Sequence, residues 1–261
     1  IHSSAMAVVV RWVILFVLSH VAIGVQAQDY LEQSKTFYQA VKGKDFAAAK
    51  KSVAALAAAQ PDQLKAQLNT EDKAKAFWLN LYNTFVAYSL VQDPGQFDDR
   101  GHFFKNEFII VAGQPLSLDD IEHGIIRHSR NKLSLGYLGK VSVSEFEKKF
   151  RLAEIDWRIH FALNCGAKSC PPVSFYDWRR VQAQLDAGTA NYLKKFARYD
   201  GATNTVYAPM LCSWFRADFG GEDGIRSILT KQGIIPSGKS PAVKYLDYDW
   251  TLLLDNYAEL P

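Results

Sequence analysis

The sequence predicts an α+β fold, a helical N-terminal part packed on a small, mostly antiparallel sheet. Three observations predict it. Residues 29–68 are rich in Ala, Lys and Gln, which favour helix. Residues 70–94 read as one long helix, apolar almost all round from Phe77 to Val91. The later half alternates short apolar runs with turn residues and has no Rossmann or P-loop glycine pattern.

Ahead of these elements, residues 6–27 read MAVVVRWVILFVLSHVAIGVQA. One cation, Arg11, precedes an apolar run, and Val25 and Ala27 are the small residues a signal peptidase inspects. The apolar run 12–25 is shorter than the ~20 residues of a spanning helix, and His20 interrupts it. The expectation is a cleavable signal peptide over 1–27, then a single domain over 28–261, periplasmic or secreted, with no stable membrane insertion after cleavage. The formal net charge of +3 is too small to argue for nucleic acid or an anionic membrane surface. Three cysteines exclude a disulfide-stapled miniprotein, and the odd number leaves at least one thiol unpaired within the chain.

Gly43 and Pro61 divide residues 29–68 into two or three short helices. Thr70, followed by Glu71 and Asp72, starts the long helix, and Pro94 sets its stop. Asn80, Asn83 and Thr84 share one face of it. Two amides inside a buried helix must find partners, since each would otherwise cost about 1–3 kcal/mol. They either tie down a neighbouring loop or border an active site. Residues 107–112 and 115–118 read as a hairpin around Gly113-Gln114. Ser117 with Asp120 resembles a capping box opening a helix on which Asp119 and His123 lie one turn apart.

Residues 128–153 lack periodicity and read as a long excursion. Residues 156–163 read as a strand, 176–199 as a helix, 203–207 as a strand, and MLCSWFRADFGG as a short helix ended by Gly220-Gly221. A helix over 224–232 and a closing strand through KYLDYDWTLLLD complete the order.

The stretch IHFALNCGAKSCPPV holds two of the three cysteines. A strand continued straight to Cys165 would put it and His160 on opposite faces, about 16 Å apart at ~3.3 Å per residue. Asn164, Cys165 and Gly166 favour a turn, so Cys165 is expected on a bend whose backbone N–H groups could serve as an oxyanion hole. Four readings follow: a Cys165 nucleophile activated by His123 or His160; a Cys165–Cys170 disulfide; a zinc site, weak because the cysteines are too widely spaced; and buried packing groups. On these grounds packing or a disulfide ranks first, the nucleophile second and the metal last.

The motifs AFWLNLYNTFV, DDIEHGIIR, RIHFALNCGAKSCPPV, LCSWFRADFGG and KYLDYDWTLLL stand in the order seen in the domain of unknown function family 547, which the chain resembles over about 73–255. The resemblance implies exported bacterial relatives and plant C-terminal domains. It picks out Asn80, Asn83, Glu122, His123, His160, Cys165, Gly166, Ser169 and Pro171. Plant-type members tend to carry serine at the second cysteine position, which leaves Cys165 the better candidate for chemistry. The chain departs from the family's usual ending: Asp249-Trp250 is followed by Thr-Leu-Leu, and no catalytic role is given to that stretch.

The expected function is a cysteine-dependent hydrolase or acyltransferase acting on an amide or peptide, with Cys165 as nucleophile. His123 or His160 would raise its thiolate fraction. Asn83 or Asn80 would orient the histidine or an oxyanion, with Glu122 beside them. No metal or other cofactor is called for. These parts on an α+β frame match papain-like and transglutaminase-like enzymes, an analogy of roles. The alternative is a binding or scaffolding domain whose His/Cys/Asn cluster is a structural hydrogen-bond network.

Overall fold

The computed structural model describes residues 28–261, so the expected signal peptide lies outside the described residues. The N-terminal part is helical as expected: α1 Tyr30–Lys42, α2 Phe46–Ala57 and α3 Pro61–Gln67. Asp29 and Asp45 cap the first two with side-chain carboxylates, and Pro61 opens the third. The long helix α4, Glu71–Gln92, starts where Thr70 accepts a hydrogen bond from Lys73 N. It is the axis of the main core, with Phe77, Trp78, Leu79, Leu81 and Val86 fully buried. Even its Lys75 is buried, its charge met by Asp156 at 2.7 Å.

After α5 (Arg100–Lys105), strands β1 (Ile109–Val111) and β2 (Gln114–Leu116) form the antiparallel hairpin. Its turn sits one residue earlier than expected, on Ala112-Gly113, both left-handed. Their N–H groups bond the Leu56 and Ala57 carbonyls at the end of α2, so the hairpin docks on the helical layer. The Ser117–Asp120 box forms in both directions. It opens a π-helix, Asp120–Ile126, with five-residue bonds from Arg127 N to Glu122 O and from Ser129 N to Gly124 O, each 2.8 Å. Such wide turns concentrate at functional sites. The excursion over 128–153 contains a further helix, α6 (Glu145–Phe150), capped by Ser144, with Phe146 and Phe150 against Trp78.

The strand expected over 156–163 is a 3-10 helix, Trp157–Phe161. Asp156 decides it: its carboxylate accepts from Arg158 N at 3.1 Å and its carbonyl from Ile159 N at 3.1 Å, closing the chain on itself where a ladder would need it open. The remainder holds α7 (Val181–Phe196), β3 (Arg198–Asp200), β4 (Thr205–Ala208), α8 (Met210–Trp214), α9 (Gly221–Lys231) and β5 (Ala242–Tyr245). The sheet order is β3-β4-β5, antiparallel then parallel. Val206 and Ala208 of its central strand pack with α7, α8 and α9 in a second apolar cluster. The result is an α+β protein with one antiparallel and one mixed sheet.

The closing stretch is a strand only at its start. Beyond Tyr245 it runs as a strap along the cysteine loop. Lys168 N bonds Thr251 O, Leu253 N bonds Gly166 O, Asp249 N bonds Ser169 Oγ, and Val173 N bonds Asn256 O, all at 2.8 Å.

Candidate functional site

Cys165 stands on the bend the sequence predicts. Gly166 follows at φ +89°, a conformation that glycine supplies at no steric cost. Asn164, buried beneath, holds the bend by donating to Pro171 O at 2.6 Å and accepting from Gly166 N at 2.8 Å. Cys165 Sγ is bonded to Cys170 Sγ, which forms the disulfide of the second reading. Tyr248 Oη lies against both sulfurs, 3.3 Å from Cys165 and 3.0 Å from Cys170. Cys212 is the free thiol, buried in the second cluster, with burial pushing its pKa up to about 12.

Cys165, His123, His160 and Glu122 line one cavity of about 410 Å³. Its other walls are mainly apolar and aromatic, among them Leu163, Trp214, Phe215, Tyr248 and Trp250. The strap that the sequence left without a role thus supplies Tyr248 and Trp250.

The two histidines have different partners. His160 Nε2 donates to Asp218 Oδ2 at 2.8 Å, and its ring stacks on Phe215 with centroids 3.9 Å apart. Burial holds His160 below its ordinary pKa against the pull of Asp218. Burial also opposes ionisation of Asp218, but hydrogen bonds from His160 and Arg127 outweigh it and keep that carboxyl below its usual range. The pair is therefore a neutral imidazole on an ionised carboxylate. His123 Nδ1 instead accepts from Arg127 Nη1 at 2.8 Å. Burial first, and the adjacent Arg127 charge second, lower its pKa to about 3. Its remaining nitrogen carries hydrogen and faces Asp119 at 3.6 Å, so His123 is a donor here and the expectation of a base is corrected.

Asn80 and Asn83 do not line this cavity. Asn80 exchanges two 2.8 Å bonds with the backbone of Tyr176. Asn83 donates to Ala162 O at 2.9 Å and accepts from Asn164 N at 2.8 Å. They fix the loops on either side of the cysteine; the orienting role expected of them toward a histidine falls to Asp218. Glu122 Oε2 accepts from Tyr82 Oη at 3.1 Å.

Asp218 and Arg127, paired at 2.7 Å and fully buried, were missed by sequence reasoning, as was Tyr248. Asp218 lies in the quoted WFRADFGG motif, which was the available signal for it. Among the described residues no group of three or more His, Cys, Asp or Glu side chains is placed to hold a metal ion. No described helix is long and apolar enough to cross a membrane.

The fold and cavity define an α+β domain in which Cys165, His123, His160 and Glu122 line one cavity, with Asp218 behind His160. Residues 65–193 match the family model described as "Protein of unknown function, DUF547", and through that stretch the chain belongs to this family. No curated protein and no solved structure matches the chain.

Proposed function

We propose that the cavity is the active site of a cysteine-dependent hydrolase or acyltransferase for amides, working in the periplasm or outside the cell. The observation that carries this reading is His160, neutral and held by Asp218 in the wall that also presents Cys165. A nucleophile, a base and a carboxylate behind the base form the general arrangement for acyl transfer. The disulfide makes the first step a reduction. A dithiol reductant gives two electrons and two protons to the Cys165–Cys170 bond, leaves two thiols and becomes a disulfide itself. His160 Nδ1 then takes the Cys165 proton. The thiolate adds to the amide carbonyl, the C–N bond breaks, and the amine leaves with the proton from His160. Water or a second amine releases the thioester. The disulfide also supports an oxidising compartment.

The second reading is a scaffold. The bonded sulfur of Cys165 and the backbone pairing of Asn80 and Asn83 favour it. A thiol-directed amide-mimicking probe, followed by a hydrolase screen with and without dithiol, separates the two. The enzyme reading expects Cys165 to label after reduction far faster than Cys212. Cys170→Ser should label without reductant, Asp218→Asn should slow labelling and flatten its pH profile, and Cys165→Ser should abolish turnover. Labelling no faster than that of Cys212, insensitive to Asp218→Asn and without turnover, leaves the scaffold.

A further inference from the structure

Of the carboxylates that line the cavity or lie behind it, one has no lysine or arginine partner among the described residues. Asp119 is neutralised by Lys132, which contacts both carboxylate oxygens at 2.8 Å. Asp218 is neutralised by Arg127 behind Phe215. Both histidines are neutral through burial, His123 with the help of the adjacent Arg127 charge and His160 against the pull of Asp218. Glu122 is left. It lies in the cavity wall with a side chain 13% exposed, and its neighbours are the Tyr82 hydroxyl at 3.1 Å and the neutral His123 ring at 3.6 Å. No lysine or arginine among the described residues lies within ion-pairing distance of it. An unbalanced carboxylate in a mainly apolar recess is costly unless a cation meets it.

The rest of the wall suits one kind of cation. Trp214, Tyr248 and Trp250 pack tilted and stacked, with centroids 4.7–5.6 Å apart. Such rings attract an organic ammonium through their faces and cover its apolar portion. A bare metal ion would gain little there, and an anion would meet Glu122. We infer that the cavity selects an apolar or aromatic molecule carrying one ammonium group, with Glu122 as its counter-ion. In chemical terms this is an aminoacyl amide or the amino-terminal residue of a peptide. The inference rests on the proposed reaction for the word substrate but not for the binding.

The test uses the full chain and calorimetric titration with three ligands of one shape: phenylalaninamide (a cation at neutral pH), N-acetylphenylalaninamide (neutral) and phenylpropionate (an anion). The cation should bind about tenfold more tightly than the neutral ligand, roughly one charge-assisted contact's worth. Glu122→Gln should remove that preference while leaving affinity for the neutral ligand in place. Glu122→Asp should keep part of it. Binding of phenylalaninamide to wild type should weaken as pH rises through the ligand's own amine titration, a readout that needs no variant. Equal binding of all three ligands, no binding, or a preference that survives Glu122→Gln overturns the inference. A cation preference without turnover sinks the enzyme reading and leaves this one; turnover of amides without the preference does the reverse.

Discussion

Gly166 shows how tightly single residues bind the site to the core. A Cβ there would stand 2.5 Å from Leu90 Cδ1 of α4, and the backbone is already left-handed. Gly166→Ala should therefore cost about 2 kcal/mol or more in a denaturant titration, from strain and crowding together. Asn83→Ala should cost a similar amount, about 1–3 kcal/mol, because it strands a buried carbonyl and a buried N–H. His123 adds a pH signature. Its folded pKa of about 3 lies below its ordinary 6.5, so between those values the unfolded chain holds more protons than the native one. Stability is full above pH 6.5, falls as pH drops toward 3 at up to about 1.4 kcal/mol per pH unit, and levels off below. His123→Gln should flatten that part of the profile. The buried amides were legible in the sequence because polar residues stood in an apolar helix. The Arg127–Asp218 pair was not, since the partners lie 91 residues apart and nothing local links them.

Among the elements, the 3-10 turn before the cysteine loop changes type outright, from the expected strand to a helix. Residues 156–163 are rich in Trp, Ile and Phe, which favour a strand. What overrides this preference is Asp156, which holds Lys75 of α4 at 2.7 Å, Arg158 Nη2 at 2.7 Å and the turn's own N–H. Burial alone would raise its pKa, but the bonds from Arg158 and Lys75 prevail and lower it to about 2. Asp156→Ala leaves Lys75 buried and unpaired and should cost about 3–5 kcal/mol by chemical denaturation. Its contribution is present above pH 3.8 and is lost as pH falls through 2. By contrast α1–α4 and the hairpin were legible because caps, Gly43, Pro61 and Pro94 mark them within a few residues of chain.

Across the whole molecule, the α+β class was readable from the order of helix-like and strand-like runs. The sheet's mixed order was not, because β4 and β5 pair in parallel across α8 and α9, an arrangement no local pattern encodes. The disulfide spans a sequence separation of only 5, so the chain entropy it removes is worth about 2 kcal/mol. Dithiol treatment should lower the melting temperature modestly and leave a cooperative transition. Loss of the fold on reduction would mean that the protein cannot work through a free Cys165.

Tyr248 touches both sulfurs while packing on Trp214 and Trp250. Disulfides quench the excited states of aromatic rings in contact with them. The chain thus contains its own optical gauge: its ultraviolet emission should brighten when the sulfur–sulfur bond opens, so occupancy of the reduced form can be followed in solution without a label.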